Sequence, residues 1–242
     1  MTRLGRAAIL LSLGSLTVRL VWTGGFGWFV QQRMRYPLLA AAILLLVFGV
    51  QEVFRSTREQ EELTAEVAKR SIAPMVGWLL ILPYLVLISV APTGLGSAAA
   101  DRVEAFTPPP SRQAFPTLDP SAGPVEMGVL EFLDRAIWDD GRSLEGVTVR
   151  LEGLVVNDAS VPDGFVLTRF LVSCCAADGV PLQVSVSGTP AIADDTWVIA
   201  DVVWKPPAIP YQELDGPWVV EAEAVGVTPV GDAPNDPYET PY

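Results

Sequence analysis

Apolar residues follow two different rhythms along this chain. In the first part they run almost unbroken, from Ala7 to Val30, from Pro37 to Phe54 and from Ile72 to Ala91. Each run is close to the ~20 residues that a helix needs to cross a ~30 Å hydrocarbon layer. The pattern therefore predicts three membrane-spanning helices, the first interrupted by Arg19. Further along, Met127 to Trp138 sets Val129, Leu130, Leu133, Ile137 and Trp138 on one helical face. After it the period drops to two in VTVRLEGLVV, FVLTRFLVS, PLQVSVSG, TWVIADVVW and WVVEAEAVGVTPV. Alternation, β-branched residues and turns at Asn157-Asp158, Asp163-Gly164, Asp178-Gly179 and Asp194-Asp195 mark five strands.

These elements predict a membrane α-helical region of three spans followed by an all-β domain with one short helix. Five strands in so short a stretch suit an OB-like barrel, and Gly153 falls where a long, bent first strand carries a glycine. The expected divisions are a transmembrane region over 1–97, a Pro/Ala-rich linker over 98–124, the β domain over 125–230 and a tail over 231–242. Pro108-Pro109-Pro110 stiffens the linker into an extended spacer.

Charge sharpens the division. Residues 1–100 carry a net +4 and residues 101–242 a net −16. Cytoplasmic flanks of membrane spans collect Lys and Arg. Arg3, Arg6, Arg55, Arg58, Lys69 and Arg70 lie on one side of the three expected spans, against Arg33, Arg35, Arg102 and Arg112 on the other. The N-terminus and the helical loop Ser56–Arg70 are thus expected inside, and the acidic β domain outside, in a multi-pass plasma-membrane protein. Arg19 has two readings, a charge lining a pathway or a side chain snorkelling toward the headgroups.

Composition removes several functions. An acidic surface repels phosphate backbones, so no nucleic-acid partner is expected. Without histidine, neither a Ser-His-Asp site nor a His-ligated metal can be built. Lys69 and Lys205 follow Ala68 and Trp204, so the Gly-Lys of a phosphate-binding loop is missing as well. No enzymatic activity is expected. Trp197, Trp204 and Trp218 offer stacking platforms for a saccharide or peptide, or simply core-filling bulk.

Cys174 and Cys175, the two cysteines of the chain, stand side by side with Asp178 three residues on. Neighbours on a straight strand point to opposite faces, which would bury one sulfur and expose the other as ordinary packed thiols. Outside the cell the pair could instead close a strained vicinal disulfide. In a third reading the two thiolates and the Asp178 carboxylate hold a metal ion, completed by a partner because zinc takes four ligands. Arg169 would modulate a thiol only if it faced the pair.

The order of spans, LPYLVLISVAPTGLGSAAADR, VRLEGLVV, FVLTRFLVSCCAADGVPLQV and DDTWVIADVVW resembles the YcgQ-like family of predicted permease subunits. The sharpest element of the likeness is R-F-x-x-x-C-C-A-A-D, Arg169 to Asp178. The resemblance implies a non-enzymatic accessory subunit that meets a multi-span permease in the lipid bilayer, its β domain near the transport path. The alternative is a membrane-tethered thiol redox or metal-binding protein that works through Cys174 and Cys175.

Overall fold

The computed structural model describes residues 3–62, 94–100, 102, 115–213, 218–231, 233–234 and 236–241. The third expected span, Ile72–Ala91, lies outside the described residues, as do residues 103–114 of the expected linker. The chain forms two compact units, Met1–Thr93 and Gly94–Tyr242.

In the first unit, helix α1 spans Arg3–Thr23 and helix α2 spans Arg35–Glu62. Two stretches are long and apolar enough to cross a membrane, as fits a membrane protein: Gly5–Thr23 within α1, and Gln32–Arg55, which begins in the 3-10 turn Gln32–Met34 and continues into α2. The first is shorter than the apolar run suggests. Gly24 takes a left-handed φ of 77°, which ends α1, and Gly25–Trp28 form a 3-10 turn. Small residues let the two helices touch. A Cβ on Gly14 would stand 2.8 Å from Leu46 Cγ, and one on Gly49 would stand 2.8 Å from Leu11 Cγ. Ala7 and Ala42 are fully covered in the same seam. Gly49 and Ala42 are therefore used between α1 and α2. Arg19 is exposed near the end of α1. Ile43, Leu44, Val47, Phe48, Val50 and Phe54 form an exposed apolar face on α2.

The second unit is a closed five-stranded β-barrel. Its walls are β2 (Thr148–Val156), β3 (Gly164–Leu171), β4 (Val180–Ser187), β5 (Trp197–Lys205) and β6 (Val220–Val230). The pairing runs β2–β3–β4–β6–β5 and back to β2, with β4 and β6 parallel and the other pairs antiparallel. This is the OB-like order that five alternating segments led us to expect. Inward positions obey the period of two: Leu182, Val184 and Val186 on β4, and Val198, Ala200, Val202 and Trp204 on β5, join one core. Helix α4 (Val129–Trp138) buries Val129, Phe132, Leu133, Ala136 and Ile137 in that core and packs against β2, β4 and β6.

Closure requires β2 to change partners. Thr148 to Leu154 pair with β5, and Leu154 to Val156 pair with β3. Gly153 sits at this handover, where a Cβ would lie 2.7 Å from Leu167 Cδ2 and 3.0 Å from the Thr168 carbonyl. Only a glycine lets the strands approach so closely at the bend.

Two dipeptide strands lie where β2 and β3 part. β1 (Val125–Glu126) pairs with β2, and β7 (Tyr238–Glu239) pairs with β3, both parallel. The residues after Thr93 also belong to this unit. Helix α3 (Ser97–Ala100) and Leu95 lie in a second apolar cluster with Val156, Val166, Phe170, Val172, Ala176 and Tyr238. Asp195, at a left-handed φ of 61°, receives the Ser97 N–H at 2.7 Å and its hydroxyl at 3.0 Å.

Candidate functional site

The cysteines occupy the loop that joins β3 to β4. The alternation suggests a strand through Ser173, but β3 ends at Leu171. The physical reason is local. The N–H groups of Ser173 and Cys174 turn to the Asp178 carboxylate, at 3.0 and 2.9 Å, instead of reaching across to β4. The Asp178 N–H returns to the Cys175 carbonyl at 3.0 Å, closing a 3-10 turn over Ala176–Asp178. Underneath, Ala176 rests on the second apolar cluster, and a Cβ on Gly179 would lie 2.4 Å from Leu95 Cδ1.

The opposite-face arrangement expected of neighbours on a strand is thus replaced. Cys174 is exposed, Cys175 is half-buried, and both are free thiols with their sulfurs 3.6 Å apart. Neither is packed in the core. The two Sγ atoms and a carboxylate oxygen of Asp178 all lie within 4.8 Å of one another, so the loop gathers three potential metal ligands.

Hydrogen bonding sets the protonation states. For Asp178 burial is the largest influence and raises the pKa, but donors from the Cys174 thiol and from the N–H groups of Ser173, Cys174 and Cys175 outweigh it and hold the carboxyl below its ordinary value. The same contact, followed by the bond to Cys175, pushes the Cys174 thiol up to about 11. At neutral pH Cys174 is thus held in its neutral thiol form. Thiolate is the form that attacks disulfides and oxidants, so the free Cys174 is a poor redox nucleophile.

Arg169 does not enter this loop's chemistry. Its guanidinium pairs with Glu152 Oε2 at 3.2 Å, donates to the Asp236 carbonyl at 2.6 Å and lies 5.4 Å from the Trp197 ring centre. It is thereby committed to the region where β2 and β3 part, beside Tyr238 and Glu239. The tryptophans also divide. Trp204 is buried in the barrel core, Trp218 packs against that core and meets Trp138 edge-on at 5.5 Å, and Trp197 lies under Arg169.

Several organising residues left little trace in the sequence. Glu239 caps α4, accepting the N–H of Val129 and of Leu130, and burial raises its pKa against the lowering effect of those donors. Tyr238 and Glu239 lie in a proline-flanked tail too short for any periodicity. An acid beside an aromatic in that tail was the available signal.

Residues 132–216 match the DUF1980 C-terminal domain family, a stretch that runs from within α4 past β5 and contains Cys174, Cys175 and Asp178. The match fits the YcgQ-like resemblance and is consistent with a membrane-associated accessory domain. None of the curated proteins or solved structures compared with the chain matches it.

Proposed function

We propose that this chain is a non-enzymatic accessory subunit of a multi-span permease, held in the plasma membrane by its N-terminal helices with the acidic barrel on the extracytoplasmic side. The observation that carries the reading is the outer face of α2. Once α1 has covered Ala42 and Gly49, the exposed Ile43, Leu44, Val47, Phe48, Val50 and Phe54 still need an apolar environment, which lipid or another membrane helix supplies. The absence of histidine and the high pKa of Cys174 both argue for a binding role over a catalytic one.

The direct test is affinity purification of the tagged full chain from its own membranes in a mild detergent after brief crosslinking. A multi-span protein recovered in stoichiometric amount is the expected result, and recovery of the chain alone would sink the reading.

A further inference from the structure

We propose that Cys174, Cys175 and Asp178 form an open binding site for a zinc-class divalent ion, with three ligands from this chain and a fourth position free. The inference deepens the accessory-subunit reading by assigning its exposed loop a cargo chemistry.

The spacing of the sulfurs selects the ion. Two thiolates on a tetrahedral centre with bonds of about 2.3 Å stand about 3.8 Å apart. The observed separation is 3.6 Å. An ion that binds two thiolates in a line would need about 4.6 Å on bonds of that length, about an ångström more than the observed separation. Two sulfurs exclude the hard, all-oxygen preference of calcium and magnesium. A carboxylate as third ligand favours a borderline divalent ion over a purely thiophilic one.

The carboxylate is already oriented. The N–H groups of Ser173 and Cys174 hold its two oxygens, and the lone pair that accepts the Cys174 S–H is freed for an ion when that proton leaves, the backbone donors acting as outer hydrogen bonds do for metal-binding carboxylates. The charge balance is definite: the two S–H protons go to solvent, Asp178 gives up none, and two thiolates, one carboxylate and a divalent ion sum to −1. The loop is exposed at Cys174, so water or a ligand from a second protein can take the fourth position. Three protein ligands with one open position is the arrangement of sites that exchange or act on what they hold, in contrast to closed structural zinc sites.

The test uses the reduced full chain in detergent, titrated with cobalt(II) as a coloured probe and then with zinc. Expected are a thiolate-to-cobalt charge-transfer band saturating at one equivalent, intense ligand-field absorption of four-coordinate cobalt, displacement by one equivalent of zinc and release of two protons per ion. Cys174→Ser and Cys175→Ser should each weaken zinc binding at least a hundredfold. Asp178→Asn should weaken it at least tenfold while the thiolate band survives, with far-ultraviolet circular dichroism unchanged as the folding control. A missing charge-transfer band, unaltered affinity in Asp178→Asn, or a chain isolated as a stable Cys174–Cys175 disulfide would overturn the assignment. Metal binding without a permease partner would count against the accessory reading alone, and a partner without metal binding against the site alone.

Discussion

The backbone N–H of Leu95 donates to the hydroxyl of Tyr238 at 3.3 Å, across 143 positions of sequence. The contact ties the two ends of the barrel unit together over the cysteine loop's apolar base. Tyr238→Phe removes the acceptor and should cost about 1 kcal/mol, the usual net worth of a hydrogen bond. Tyr238→Ala also empties part of the cluster with Phe170 and Val172, for a loss of about 3–5 kcal/mol. Chemical denaturation of the two variants beside the parent checks the order; equal losses would mean that the ring alone matters.

Asp134 predicts a pH dependence. It is buried on α4, its Oδ1 has no hydrogen-bond partner among the described residues, and burial, with a smaller push from Glu131, raises its pKa to about 6. A folded-state pKa above the unfolded value means that the folded chain binds the proton more tightly. Stability from this group is therefore full below pH 4 and is lost as pH rises from about 4 through 6. Each pKa unit is worth about 1.4 kcal/mol before solvent screening, so Asp134→Asn should stabilise the protein at pH 7 by about 1–2 kcal/mol and flatten the melting profile between pH 4 and 7. A variant less stable than the parent at pH 7 would contradict the assignment.

Cys174 should alkylate slowly. With Cys175 replaced by serine, the rate with iodoacetamide should keep climbing beyond pH 9 without a plateau, because Asp178 holds the thiol well above its ordinary range. Adding Asp178→Asn should bring the rate inflection down toward that of a free cysteine. A plateau near pH 8.5 in the parent loop would show that the carboxylate exerts no such hold.

Topology is accessible to labelling because Ser121 is exposed. In a Cys174→Ser/Cys175→Ser background, Ser121→Cys should react with an impermeant maleimide on intact cells, and a cysteine at position 3 should react only after lysis. Protection of the residue-121 thiol in intact cells would reverse the proposed orientation.

Sequence pattern revealed the barrel because each wall strand is long enough to show a period of two and is bounded by turn residues. It did not reveal β1 and β7, each a dipeptide, nor the docking of Leu95 and α3. Those residues read as the exit from a membrane because their small apolar side chains serve either purpose. The site was legible by composition and misjudged in geometry. Cys174, Cys175 and Asp178 are close in sequence, but placing both sulfurs on one side depended on a strand ending two residues early. That ending is set by backbone donors turning to Asp178, a contact with no periodic signature. Arg169 belonged to the same motif by spacing yet is held on Glu152 and Trp197, because residues that are near in sequence need not share a face.

The cyclic pairing of the wall strands limits how another protein can recognise this barrel. A sheet with a free edge can accept a guest strand and bind through main-chain hydrogen bonds, almost regardless of side chains. Here each wall strand has a neighbour on both sides over part of its length, and where β2 and β3 separate, β1 and β7 line the gap, so the open main-chain edge is short, as at β6 beyond Glu223. Recognition then rests mainly on loops and side chains, and affinity on the identity of particular residues. The protein gains a surface that resists indiscriminate β-association and that a small number of substitutions could retune for a different partner.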